Sequence, residues 1–308
     1  MDKRSKLIIL AILLIAVIVI PLKLISPQFQ GSWDKEKEGG YKRTSINIYK
    51  NTPVYELALA VKAQNTNKIE KISKQNPELL NYQDPKYGIT LLTWAVGMEK
   101  YKSAETLLKS GANPDLANTR GETPLFIAAG YSWIDREAKK DPKYVKLLLS
   151  YDANPNLNYI QGDEYDNITK TGTSPLMKSI GCGIEKTKAL VEGGAEINHK
   201  TPSGETAAIV ALMVGGPNAT LAGMEYAKYL IVEKKAKVSE PYSGKHPVDI
   251  LRDWVYPLDS EEYKIKMEIV KEFSNQGVNY WDTKANDYTI MQIKKAYPDS
   301  WEEYLKRY

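Results

Sequence analysis

The chain of 308 residues holds one cysteine, Cys182, and two histidines, His199 and His246. A single thiol cannot close an intrachain disulfide, so no disulfide framework supports the fold. Neither histidine has a cysteine or a second histidine at ligand spacing, which removes the common zinc sites. A glycine-rich phosphate loop and a nucleophile elbow are both missing. These absences argue against an enzyme and against a bound metal, cofactor or small-molecule substrate. Charge of one sign is also lacking. The 42 basic and 38 acidic residues leave a net charge of +4. Their signs interleave, as in Glu233 beside Lys234-Lys235 and Glu261-Glu262 near Lys264. A nucleic-acid footprint needs basic residues gathered on one face, so no nucleic-acid partner is expected.

What is present is repetition. Gly121-Glu122-Thr123-Pro124-Leu125-Phe126-Ile127-Ala128-Ala129 reads as a tight turn running into a short helix. Thr123 can cap that helix, and Pro124 suits a first position whose N–H would be unpaired anyway. The opening recurs at Gly88-Ile89-Thr90-Leu91, 33 residues earlier, and at Gly172-Thr173-Ser174-Pro175, 51 residues later. It recurs again at Gly204-Glu205-Thr206-Ala207 and at Gly244-Lys245-His246-Pro247, after 32 and 40 residues. The units close alike. Leu107-Leu108 leads to Gly111-Ala112-Asn113-Pro114-Asp115, Leu147-Leu148-Leu149 to Asp152-Ala153-Asn154-Pro155-Asn156, and Leu190-Val191 to Gly193-Gly194-Ala195-Glu196-Ile197-Asn198. An apolar helix thus ends at a glycine or its substitute and an Asn/Asp-rich turn follows.

Openings and closings recur in phase near a period of 33, and these motifs resemble the ankyrin repeat, whose signature is T-P-L-H-x-A. The resemblance covers roughly Thr52 to Val278. It implies an all-α solenoid of about six helix–turn–helix units, the first and last departing from consensus as caps. It also implies non-catalytic binding of a protein through loop tips and the concave helical face.

The amino terminus differs. Lys3, Arg4 and Lys6 precede an apolar run from Leu7 to Ile20, which resumes at Leu24-Ile25. As a helix, Leu7 to Ile25 would span about 28 Å, close to a hydrocarbon core. Residues 22–27 offer no small-x-small cleavage site, so an uncleaved anchor is preferred to a removed signal. The basic flank favours a cytoplasmic amino terminus and extracytoplasmic, for instance periplasmic, repeats. Lys35, Lys37, Lys42 and Arg43 on the other side leave the opposite orientation open. The expected organisation is an anchor at 1–26, a flexible spacer at 27–50, repeats at 51–287 and a capping helix at 288–308. The partners expected are a protein and, through Leu7 to Ile25, a membrane.

Two insertions swell the third unit, Tyr131 to Tyr144 between its helices and Tyr159 to Lys170 before the next turn. Gly88, Thr90, Gly121, Thr123, Pro124, Gly172, Pro175, Gly204, Thr206, Gly244 and Pro247 are explained by the repeat itself. Trp133, Asp163, Glu164 and Tyr165 in the insertions are not, nor are Asp115, Asn118 and Arg120 at a turn tip. Insertions and tips are expected to project from the stack, and aromatic anchors with a charged rim suit a protein interface. These seven residues are the candidate partner site. An anchored single stack also looks like a bacterial envelope immunity or inhibitor protein that captures a toxic effector.

Overall fold

The computed structural model describes residues 42–160, 169–216 and 219–308. The helices of the repeats belong to one compact unit, Arg43–Tyr308. The expected anchor, Leu7 to Ile25, lies outside the described residues. Among the described residues no helix is long and apolar enough to cross a membrane.

Six helix pairs run in succession. They are α1 (Tyr55–Lys62) with α2 (Thr66–Gln75), α3 (Leu91–Gly97) with α4 (Tyr101–Lys109), and α5 (Pro124–Ala129) with α6 (Lys143–Leu149). Then come α7 (Pro175–Ser179) with α8 (Ile184–Glu192), α9 (Ala207–Val214) with α10 (Leu221–Ala227), and α11 (Pro247–Arg252) with α12 (Glu261–Asn275). The described residues contain no strand, only an isolated bridge between Tyr242 and Lys245.

The first helices start where the sequence places them. Thr90, Thr123, Ser174 and Thr206 each accept the backbone N–H three residues on, of Thr93, Phe126, Met177 and Ile209. That satisfies one of the otherwise orphaned donors of each helix start. His246 holds the equivalent place, and there its backbone N–H donates to the Asp249 carboxylate. Gly121 precedes its helix at φ +75°, a left-handed conformation that a side chain disfavours.

The first helices stack in one layer, α1 on α3 and so on to α9 on α11. The second helices form the other layer, packed in order except that α4 and α6 approach only weakly. Between the layers runs one apolar core, with Leu57, Leu107, Leu125, Leu148, Leu176, Leu190, Leu212 and Leu230 all fully buried. None of these short helices would persist alone, so the shared core carries the stack.

Two ends differ from the sequence-based expectation. Residues 43–50, expected to belong to a flexible spacer, are folded onto the stack. Tyr49 is buried and donates to the carbonyl of Ile89 at 3.0 Å, and Trp94 donates to that of Thr44 at 3.2 Å. The tail forms two helices rather than one, α13 (Asp287–Ala296) and α14 (Trp301–Arg307). Pro298 ends the first, because a proline disfavours helical backbone in the residue before it. Arg252 ties this tail to the sixth pair. It donates to the main-chain oxygens of Tyr280, Thr283 and Tyr308 and lies 3.8 Å from the centre of the Tyr280 ring. Lys266, wholly buried, donates to the Trp254 carbonyl and sits 3.7 Å over the Tyr308 ring.

Candidate protein-interaction surface

The stack has two long edges, one at the turns between units and one at the junctions between the two helices of each unit. At the turn edge the closing Asn/Asp residues form a ladder from unit to unit. The side-chain oxygen of Asn81 accepts from the N–H of Asn113, that of Asp115 from Asn154, that of Asn156 from Glu196, and that of Asn198 from Lys237. The four distances lie between 2.8 and 2.9 Å. At the last joint Gln276 reaches back, accepting from Val238 and donating to the Ala236 carbonyl.

Asn118 does not project as a tip. It is 8% exposed, accepts from the N–H of both Arg120 and Glu122, and donates to the Glu122 carboxylate. The polar groups of the turn are turned inward to hold it, which is what a buried amide requires. Glu122 also pairs with Arg43 at 3.4 Å. Asp115 and Arg120 are half-buried, and Asp115 serves the ladder.

The junction edge is built differently. Residues 131–142, between α5 and α6, were expected to project. They lie back across the stack as a strap. The Trp133 ring covers Gly97 at the end of α3, so closely that a Cβ there would meet it at 2.4 Å. The guanidinium of Arg43 sits 4.7 Å from the ring centre. At its other end the strap rests on the start of α8, where a Cβ on Gly183 would meet the Lys140 backbone at 2.8 Å. The strap thus touches units two and four from unit three. Apolar area decides its course, since an exposed tryptophan gains by covering a small residue within its reach. Ser132, which donates to Glu99, adds a polar tie.

Beneath the strap, lined by residues of α3, α5, the start of α6 and Lys186 of α8, lies a cavity of about 280 Å³. Tyr101 of α4 and Tyr144 of α6 meet edge to face, 5.4 Å between ring centres. The walls include Val96, Ile127, Ala128 and Trp133. Tyr144 and Lys186 also line it, and the mouth carries Glu99, Lys139, Lys140, Asp141 and Lys143. Lys186 is 3% exposed and donates to the carbonyl of Gly130 at 3.1 Å. Burial pushes its ammonium below the usual lysine range, and the neighbouring Cys182, Asp141 and Glu99 only partly offset this. Burial raises the Cys182 thiol, so the one cysteine is not an activated nucleophile. Desolvation raises the Tyr144 phenol, whose oxygen is buried with no hydrogen-bond partner among the described residues.

Outside the cavity, Tyr131 and Ile134 of the strap are 53% and 56% exposed. The same junction of unit five exposes Met213, Val214 and Leu221. Of the seven candidate residues, Trp133 borders the cavity, Asp115, Asn118 and Arg120 stay at the turn edge, and Asp163, Glu164 and Tyr165 lie outside the described residues. Sequence reasoning missed Tyr144 and Lys186. The signal for Lys186 was a lysine in phase with Ala189 and Leu190 on the buried face of α8.

No group of acidic, histidine or cysteine side chains among the described residues could hold a metal ion. His199 instead bonds the carbonyl of Gly172 at 2.7 Å, tying a closing turn to an opening one.

Known proteins agree with this architecture. The family described as Ankyrin repeat matches residues 120–159, the stretch from the third opening to its closing turn. Neurogenic locus notch homolog protein 1 of Homo sapiens is 49% identical over 41 residues. That match covers 13% of this chain and 2% of that protein. The crystal structure of EF0377, an ankyrin repeat protein, is similar in fold, with a TM-score of 0.51 at 23% identity. The likeness spans 73% of this chain and 98% of that one. Recurrent capped openings, six stacked helix pairs and these likenesses have one reading: this is an ankyrin-repeat protein.

Proposed function

We propose that this chain binds a protein partner along the junction edge of units two to five and catalyses no reaction. Ankyrin repeats generally mediate protein–protein interaction. The observation that carries the choice of edge is the strap. It frames a cavity and leaves Tyr131 and Ile134 exposed beside it, whereas the turn edge directs its side chains to its own backbone. Apolar groups around a cavity with a charged rim suit the anchor-and-rim anatomy of interfaces.

The finer reading has the repeats held outside the cytoplasm by the segment Leu7 to Ile25, as an envelope immunity or inhibitor protein would be. Its support is architectural, an apolar amino-terminal run ahead of one irregular stack. Affinity capture with the full chain, followed by Trp133→Ala, Tyr165→Ala and Arg120→Ala, tests the surface. Trp133→Ala should weaken partner binding at least about tenfold, a common cost for an anchor, with Arg120→Ala near neutral. Three variants binding within about twofold of the parent would move the interface elsewhere. Protease added outside the inner membrane should digest the repeats; full protection until that membrane is lysed would place them in the cytoplasm.

A further inference from the structure

We propose that the cavity under the strap receives a carboxylate on a short apolar stem, presented by the partner as a glutamate side chain. This deepens the protein-binding reading and rests on it. The cavity is small. At about 280 Å³ it falls at the lower end of ligand pockets, room for one side-chain-sized group. Its walls are apolar, so the stem must be apolar too.

The polar end is set by Lys186. An ammonium has three N–H groups, and Lys186 directs one of them to the Gly130 carbonyl. Among the described residues no carboxylate lies within ion-pair distance of its Nζ. A buried cation without a counter-charge is costly, and a carboxylate supplies the charge together with two acceptor oxygens for the remaining donors. A neutral amide offers one oxygen and no charge, and leaves the ammonium uncompensated.

The rim points the same way. Lys143 already pairs with Asp141 at 3.4 Å, and Lys139 pairs with Asp135. Glu99 accepts from Ser132. Lys139 also meets Glu137 at 3.7 Å, so the charges of the rim offset one another, and Lys186 beneath it is left without an ion-pair partner among the described residues. A phosphate dianion fits worse, because Glu99 and Asp141 stand at the mouth. A free small acid would leave Tyr131 and Ile134 uncovered, whereas a peptide chain carrying the glutamate would cross them.

The probes are a blocked Leu-Glu-Phe peptide, its Leu-Gln-Phe counterpart and 3-phenylpropionate, each titrated into the full chain by calorimetry. The glutamate peptide should saturate with a Kd in the millimolar range or tighter, ordinary for a ligand of this size. The glutamine peptide should bind at least about fivefold more weakly, since a charge-assisted pair is lost. Lys186→Met should erase that preference. If Lys186→Met does not fold, the peptide pair and Lys186→Gln decide. Equal binding of the two peptides, or no binding of either, overturns the proposal. Binding of 3-phenylpropionate without the glutamate peptide overturns the protein source. A partner captured with equal affinity by parent and Lys186→Met would also overturn it, leaving the protein-binding reading intact.

Discussion

The turn edge and the junction edge belong to the same repeats and use their polar groups in opposite ways. At the turns, Asn81, Asp115, Asn156 and Asn198 each bond the next unit, and Asn118 closes its own turn. At the junctions, Lys186 keeps donors with no acceptor among the described residues, beneath a strap with exposed apolar groups. A surface whose hydrogen bonds are satisfied internally has little left to offer a partner. A surface with unmet donors in an apolar frame has a reason to bind. The lesson is that the residue types commonest at turn tips are here devoted to holding the stack.

The largest effect sets the scale for both edges. Leu148→Ala, at a fully buried position between them, should cost roughly 2–5 kcal/mol. Stability in a stack is a sum over neighbouring interfaces, so damage at the centre should also split the unfolding curve into stages. A parent-like melt would remove Leu148 from the shared core. Trp133→Ala comes next, at roughly 1–3 kcal/mol, because a half-buried aromatic leaves Gly97 and Arg43. Urea unfolding reads this. A loss below about 0.5 kcal/mol would mean that the strap is not seated by its tryptophan.

Asn156→Ala should cost about 1 kcal/mol, the worth of a hydrogen bond, by breaking the rung to Glu196 and the bond to the Gly194 carbonyl. It should leave partner affinity unchanged. A tenfold loss of affinity would contradict the division between the edges.

The smallest effect is a pH dependence. Burial lowers the Lys186 pKa below its ordinary value of 10.5. The folded state then binds fewer protons than the unfolded one between the lowered value and 10.5, so stability rises with pH there. Lys266 acts with the same sign, and the raised phenols of Tyr144, Tyr280 and Tyr308 reverse the trend above about pH 10. The difference between parent and Lys186→Met isolates one group. Parallel profiles from about pH 7 to 10 would show that Lys186 does not titrate there.

Much of the fold is legible because the repeat is specified locally. A threonine or serine, then a proline or small residue, then two apolar turns identify a helix start within a few residues, and the caps at Thr90, Thr123, Ser174 and Thr206 form at those places. Pro298 also announces the break between α13 and α14, a signal that the expectation of a single tail helix overlooks. The strap is not legible. Its course depends on Trp133 finding Gly97 in the preceding unit, and nothing near Trp133 encodes that meeting. The cavity is hidden for the same reason, since Tyr144 and Lys186 come from different units. A polar turn residue such as Asn118 looks exposed by its type, yet an amide that bonds backbone and side-chain groups around it becomes part of the interior.

Arg252 gives the sixth unit a place in time as well as in space. Its partners Tyr280 and Thr283 lie 28 and 31 residues on, within the reach of one repeat, but Tyr308 lies 56 residues on. Other units of the stack rest on their neighbours, contacts that form early because little loop must close. A ribosome releases residue 252 before residue 308, and until the tail has emerged Arg252 has the carbonyls of Tyr280 and Thr283 but not the oxygen of Tyr308. Synthesis therefore completes this end of the molecule last. Delay or truncation beyond Thr283 should leave units one to five assembled and the sixth unfinished, with the buried cations Arg252 and Lys266 not yet covered by Tyr308.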